Sequence, residues 1–85
     1  MTVLILGGTG TLGSAIARCY IRDGQKPICF DNNPNSERFK DFGDKVTIVR
    51  GDITHIDDIV EAIVAHKVDR LINMAYLFGN EASLA

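Results

Sequence analysis

A chain of 85 residues, 46% hydrophobic and 24% charged, has the balance of one soluble globular unit, large enough for a core and too small for a complete two-domain enzyme. Its formal net charge of -2, with Lys and Arg scattered rather than clustered, argues against nucleic acid as a partner. No apolar stretch approaches the roughly 18 residues of a membrane span, and Met1 runs into an apolar segment without a basic leader, so no membrane is expected and the expected address is cytoplasmic.

Residues 2–6 form a continuous apolar run, the pattern of a strand buried on both faces of a parallel sheet. Glycines follow, and from Thr11 the period changes. Leu12, Ala15, Ile16, Cys19 and Tyr20 recur at helical spacing, and Gly24 supplies the stop. Residues 26–30 read as a second strand. The segment DNNPNSERF is turn chemistry leading into a short helix over residues 36–42, and FGDK is a loop. A third strand is expected over residues 46–49. Thr54 and Asp57 make a capping-box pattern ahead of a second stripe, Ile56, Ile59, Val60, Ile63 and Val64, which ends near His66 and Lys67. Residues 70–74 read as a fourth strand. Strand alternates with helix throughout, without repeat or linker. The expected class is therefore α/β, with right-handed crossovers building a parallel sheet of order 3-2-1-4 between flanking helices.

Cys19 and Cys29 lack metal or redox spacing and read as reduced core thiols, as Tyr20 and Met74 read as core. His55 and His66 share no ligand spacing, and Asp57, Asp58 and Glu61 read as a solvated helix face. No metal site is expected.

The stretch GGTGTLG, residues 7–13, holds two overlapping patterns, Gly8-x-Gly10-x-x-Gly13 and Gly7-x-x-Gly10-x-x-Gly13. A buried strand precedes it, an amphipathic helix follows, and Asp31 stands eighteen positions past Gly13, directly behind the second strand. In such a unit the early glycines turn the chain out of the strand, the middle one lets a pyrophosphate approach the backbone, and the last lets helix and sheet pack closely. The N–H groups and positive dipole end of the helix then face the phosphates. Asp31 suits the hydroxyls of an adenosine ribose and would repel an added 2′-phosphate. NAD is thus favoured over NADP, with Arg22 and Arg38 the residues able to reverse the preference.

The glycine spacing, Asp31, GDI (Gly51, Asp52, Ile53) after the third strand and NMAY (Asn73 to Tyr76) after the fourth together resemble the extended short-chain dehydrogenase/reductases, the NAD-dependent epimerase/dehydratase group. The resemblance covers essentially the whole chain. It implies that residues 1–85 are the N-terminal part of a NAD(P)-binding Rossmann-type, doubly wound domain, with Gly7, Gly10, Thr11, Leu12 and Gly13 on the pyrophosphate and Asp31 and Asn32 on the adenosine ribose. DNNPNS further resembles a segment of UDP-sugar 4-epimerases, which would bring Asn35 and Ser36 beside ribose and phosphate. By the same resemblance Asp52 and Ile53 would contact adenine, and Ala75 and Tyr76 would lie along the dinucleotide. The sequence departs from the group at Thr11, where an aromatic residue is common, and at Asn73 and Tyr76, where His and a small residue are frequent.

Catalysis in this family resembles a proton relay through a Tyr and a Lys four residues on. No Tyr-x-x-x-Lys occurs here: Tyr20 is followed by Gly24 and Tyr76 by Asn80. No catalytic residue is therefore assigned. The expected role is the adenosine-binding segment of an oxidoreductase acting on nucleotide sugars or related hydroxyl or carbonyl compounds, with the small-molecule substrate held by residues beyond Ala85. A non-catalytic dinucleotide sensor of the same fold, and a short protein whose fourth strand pairs with a second copy as a homodimer, are the rival readings. The first rival would lack Tyr-x-x-x-Lys downstream; the second predicts a dimer and a stop after Ala85.

Overall fold

The structure is a computed structural model and describes residues 2–75. Four parallel strands, β1 (Val3–Leu6), β2 (Ile28–Asp31), β3 (Thr47–Arg50) and β4 (Arg70–Asn73), make one sheet of order β3-β2-β1-β4. This is the topology expected from the alternation of strand and helix. The 3-2-1 half is joined by α1 (Thr11–Arg22) and by two 3-10 turns, Ser36–Phe39 and Gly43–Lys45, the second lying where a loop was expected. The crossing from β3 to β4 runs through α2 (Ile56–His66).

β1 is central and buried at all four positions, and its side chains alternate between the two faces. Val3 and Ile5 join Ala17, Ile21, Cys29, Phe39 and Val46 under α1, whereas Leu4 and Leu6 join Ile28, Phe30 and Ala62 under α2. Two cores, one per sheet face, explain why the opening run is continuous rather than alternating.

The inward face of α1 differs from the expected stripe. Gly13, Ser14, Ala17 and Ile21 are buried, Ile16 and Tyr20 pack at the margin, and Leu12 and Cys19 are exposed. The cause is close approach: a Cβ on Gly13 would collide with the Gly7 carbonyl oxygen. Small residues must face the sheet there, and the larger apolar ones turn aside. Cys19 is accordingly not a core thiol, whereas Cys29 is. The helix closes as expected, with Gly24 at φ 80° and the Gln25 N–H reaching the Tyr20 carbonyl at 3.0 Å.

The expected capping box on α2 does not form. His55 is the N-cap and carries no capping bond, because Thr54 is taken by Asp52, which accepts its N–H at 2.9 Å and its hydroxyl at 2.7 Å. An Asp two residues upstream closes its own turn and outcompetes the box. The α2 stripe also divides: Ile59 and Ile63 pack inward beside Ala62, while Ile56, Val60 and Val64 are 71%, 50% and 70% exposed. The apolar arc of the helix is wider than the sheet it covers.

Candidate functional site

The C-terminal ends of all four strands converge on one cleft of about 390 Å³. It is lined by Gly7 and Gly10 after β1, Asp31 and Asn32 at the end of β2, Asp52, Ile53 and Thr54 after β3, and Met74 and Ala75 after β4. Strand order reverses beside β1, where the chain leaves the 3-2-1 half for β4, so the cleft sits at the switch point where open α/β sheets hold ligands.

The glycines around the cleft are not equivalent. Gly7 has φ 74°, and a Cβ there would lie 2.9 Å from the Ala75 nitrogen. A Cβ on Gly8 would lie 2.6 Å from that of Cys29, and Gly13 is excluded by the Gly7 carbonyl. Gly10 differs: at φ -72° a Cβ would meet only the Gly7 oxygen, at 3.4 Å, among the described residues. The fold itself does not require Gly10 to be bare, and the space left there opens onto the cleft.

Gly10 is also the N-cap of α1. Among the described residues no side chain caps this helix and its first turn holds no acid. The first intrahelical bond is from the Ser14 N–H to the Gly10 carbonyl at 2.8 Å, so the N–H groups of Thr11, Leu12 and Gly13 are left without intrahelical acceptors. The positive end of the helix dipole is thus uncompensated.

Asp31 stands at the tip of β2. Its Oδ2 accepts the Thr9 hydroxyl at 2.8 Å and the Thr9 N–H at 3.3 Å, and its Oδ1 accepts the Asn33 N–H at 3.4 Å. The Thr9 hydroxyl oxygen in turn accepts the Asn35 N–H at 3.0 Å. Across the cleft, the Thr54 hydroxyl and then its N–H hold the Asp52 carboxyl below its ordinary value of 3.8. The Asp52 N–H donates to Asp58 Oδ2 at 3.0 Å, so Asp58 anchors this turn rather than merely solvating the helix face. The Ala75 N–H donates to Asn73 Oδ1 at 3.0 Å. Beneath Gly8, burial pushes the Cys29 thiol up to about 12, with the Asp31 carboxylate adding to the effect.

Of the residues singled out from sequence, Gly7, Gly10, Asp31, Asn32, Asp52, Ile53 and Ala75 meet at the cleft. Thr11, Leu12 and Gly13 form the adjoining helix end, and Asn35 reaches it through its backbone bond to Thr9. Ser36 lines a separate depression with Phe39 and Val46. Tyr76 lies outside the described residues. Arg22 is in the last turn of α1, at the opposite end of the helix from Gly10, roughly 16 Å along the axis at helical rise. Sequence reasoning missed Thr9, Thr54 and Met74 as parts of the site. The signal for Thr54 was Asp52 two positions earlier; Thr9 carries none, since its partner is 22 residues away.

The sequence profile of the NAD dependent epimerase/dehydratase family matches residues 3–85. The chain belongs to that family. It is 31% identical over 91 aligned positions to UDP-glucose 4-epimerase of Neisseria gonorrhoeae, covering 100% of this chain and 27% of the relative. It is 35% identical over 82 positions to photosystem II assembly factor Ycf39 of Synechocystis, covering 84% and 24%. The crystal structure of UDP-glucose 4-epimerase from Brucella ovis in complex with NAD superposes with a TM-score of 0.77 at 26% identity, covering 89% of this chain and 23% of that one. This member of the epimerase/dehydratase family thus spans about a quarter of the length of these three proteins.

Proposed function

We propose that the cleft holds the adenosine half of NAD, and that the chain is the dinucleotide-binding segment of an epimerase/dehydratase-type oxidoreductase acting on a nucleotide sugar or a related hydroxyl or carbonyl compound. Gly10 is the observation that carries this reading. Among the described residues nothing requires it to be bare and no side chain caps the helix end it opens, and an acid stands opposite on the neighbouring strand.

In this reading the backbone at Gly7 and Gly10 and the N–H groups of Thr11, Leu12 and Gly13 bind the pyrophosphate by hydrogen bonds and dipole. Asp31, with Asn32 beside it, accepts from the adenosine ribose and repels a 2′-phosphate, which selects NAD over NADP. Asp52 takes the exocyclic amine of adenine and Ile53 packs on the ring. Ala75 continues along the dinucleotide. Bound NAD would supply the hydride acceptor; these 85 residues contain no Tyr-x-x-x-Lys, and no proton-transfer step is assigned to them. The UDP-glucose 4-epimerases among the similar proteins support a nucleotide-sugar substrate.

The test is to titrate the 85-residue chain with ADP-ribose and follow backbone amide resonances. Shifts centred on Gly10, Thr11, Asp31, Asp52 and Ile53 are expected. Saturable shifts centred elsewhere, or none at millimolar ligand, would overturn the assignment.

A further inference from the structure

Thr9, within the glycine-rich turn, does not line the cleft, and it is 2% exposed. Its hydroxyl makes two bonds in opposite senses, donating to Asp31 Oδ2 at 2.8 Å and accepting the Asn35 N–H at 3.0 Å. Its own N–H adds a second bond to the same carboxylate oxygen. One buried side chain thus ties together the turn after β1, the tip of β2 and the segment that follows it.

The consequence lies in Asp31. An ionised carboxylate offers about four acceptor positions, two per oxygen. Thr9 fills two of them on Oδ2, and the Asn33 N–H takes one on Oδ1 through a long 3.4 Å contact. Among the described residues Oδ1 is therefore the oxygen with capacity left for a ligand, and the plane of the carboxylate is set in large part by a residue outside the lining of the cleft.

We infer that Thr9 is the positioning residue for cofactor discrimination: by clamping Oδ2 it presents Oδ1 of Asp31 to the adenosine ribose and keeps the negative charge where a 2′-phosphate would sit. The inference rests on the reading that Asp31 faces the ribose of NAD. Without the hydroxyl the carboxylate keeps only the longer bonds from the Thr9 and Asn33 N–H groups, at 3.3 and 3.4 Å, so it is held less firmly and both its hold on the ribose and its repulsion of a phosphate weaken.

The experiment measures affinities of the 85-residue chain for NAD, NADP and NAD lacking the adenosine 2′-hydroxyl, in wild type, Thr9→Val, Thr9→Ala and Thr9→Ser. Val matches Thr in shape, and Ala provides a second hydroxyl-free variant should Val perturb folding. Both are expected to weaken NAD binding about tenfold, the scale of one hydrogen bond to a charged group, while NADP binding holds or improves. Thr9→Ser should retain the wild-type ratio. Faster amide exchange at Asn35 in the hydroxyl-free variants, restored in Thr9→Ser, is expected without any ligand. Equal loss for NAD and NADP would make Thr9 merely structural and overturn the inference, as would an unchanged ratio in Thr9→Val. Wild type that does not distinguish NAD from its 2′-deoxy analogue, with Asp31→Ala equally indifferent, would instead defeat the ribose reading itself.

Discussion

Gly10 and Gly13 sit three positions apart in one motif, yet their side-chain space is opposite. A Cβ at Gly13 runs into the Gly7 carbonyl, whereas at Gly10 it reaches nothing closer than 3.4 Å among the described residues. Gly13→Ala is therefore expected to destabilise the fold by several kcal/mol, on the order of the overpacking and strain penalties of buried sites, seen as a large fall in denaturation midpoint. Gly10→Ala should leave the midpoint within about 0.5 kcal/mol of wild type. The two cysteines divide similarly. Cys19 is exposed and Cys29 buried with its thiol pushed up to about 12, so iodoacetamide at neutral pH should label Cys19 alone in the native chain. Because the Cys29 value is raised above its ordinary 9.0, its contribution to stability is complete below pH 9 and is lost as pH rises from there toward about 12. Cys29→Ser or Cys29→Ala should flatten that alkaline limb in a pH series of unfolding curves.

At the scale of elements, the two helices end on their strands by different means. α1 closes through Gly24, but α2 closes through Lys67, which adopts φ 54° and ψ 50° and is the non-glycine residue with positive φ among those described. A left-handed conformation is costly for a side chain with a Cβ, so Lys67→Gly is expected to stabilise the chain by about 0.5–1 kcal/mol, measured as a rise in unfolding midpoint. The turn entering α2 has an acid limb. Thr54 holds the Asp52 carboxyl below 3.8, so this turn is intact above that pH and loosens as pH falls through the folded-state value. Thr54→Val removes the hydroxyl bond and leaves the N–H bond, so the acid-induced change in the amide resonances of residues 52–58 is expected to move to higher pH, toward the ordinary carboxyl value, in an acid titration followed by NMR.

For the molecule as a whole, sheet order and the position of the cleft were legible in the sequence because they follow from period and order. Four apolar runs alternating with helical stripes leave few topologies, and parallel strands bring the ends of all four to one side. Family membership was legible for the same reason, through motifs that each sit just behind a strand. What sequence did not show was set by tertiary contact. The inward face of α1 is chosen by close approach at Gly13, which places small residues inward and exposes Leu12 and Cys19. The failed capping box at Thr54 reflects competition from Asp52, and the role of Thr9 depends on a partner 22 residues away. Periodicity carries no information about such pairs.

The measurement that bears most directly on the central claim is a calorimetric titration of NAD into wild type and Gly10→Ala, with thermal unfolding of both chains alongside. The account predicts saturable binding by wild type, binding weakened at least about tenfold in Gly10→Ala, and superimposable unfolding curves, because among the described residues the added methyl meets only the Gly7 oxygen, at 3.4 Å, and faces the proposed ligand site. Equal NAD affinity in the two chains, or no binding by a folded wild type, would contradict it.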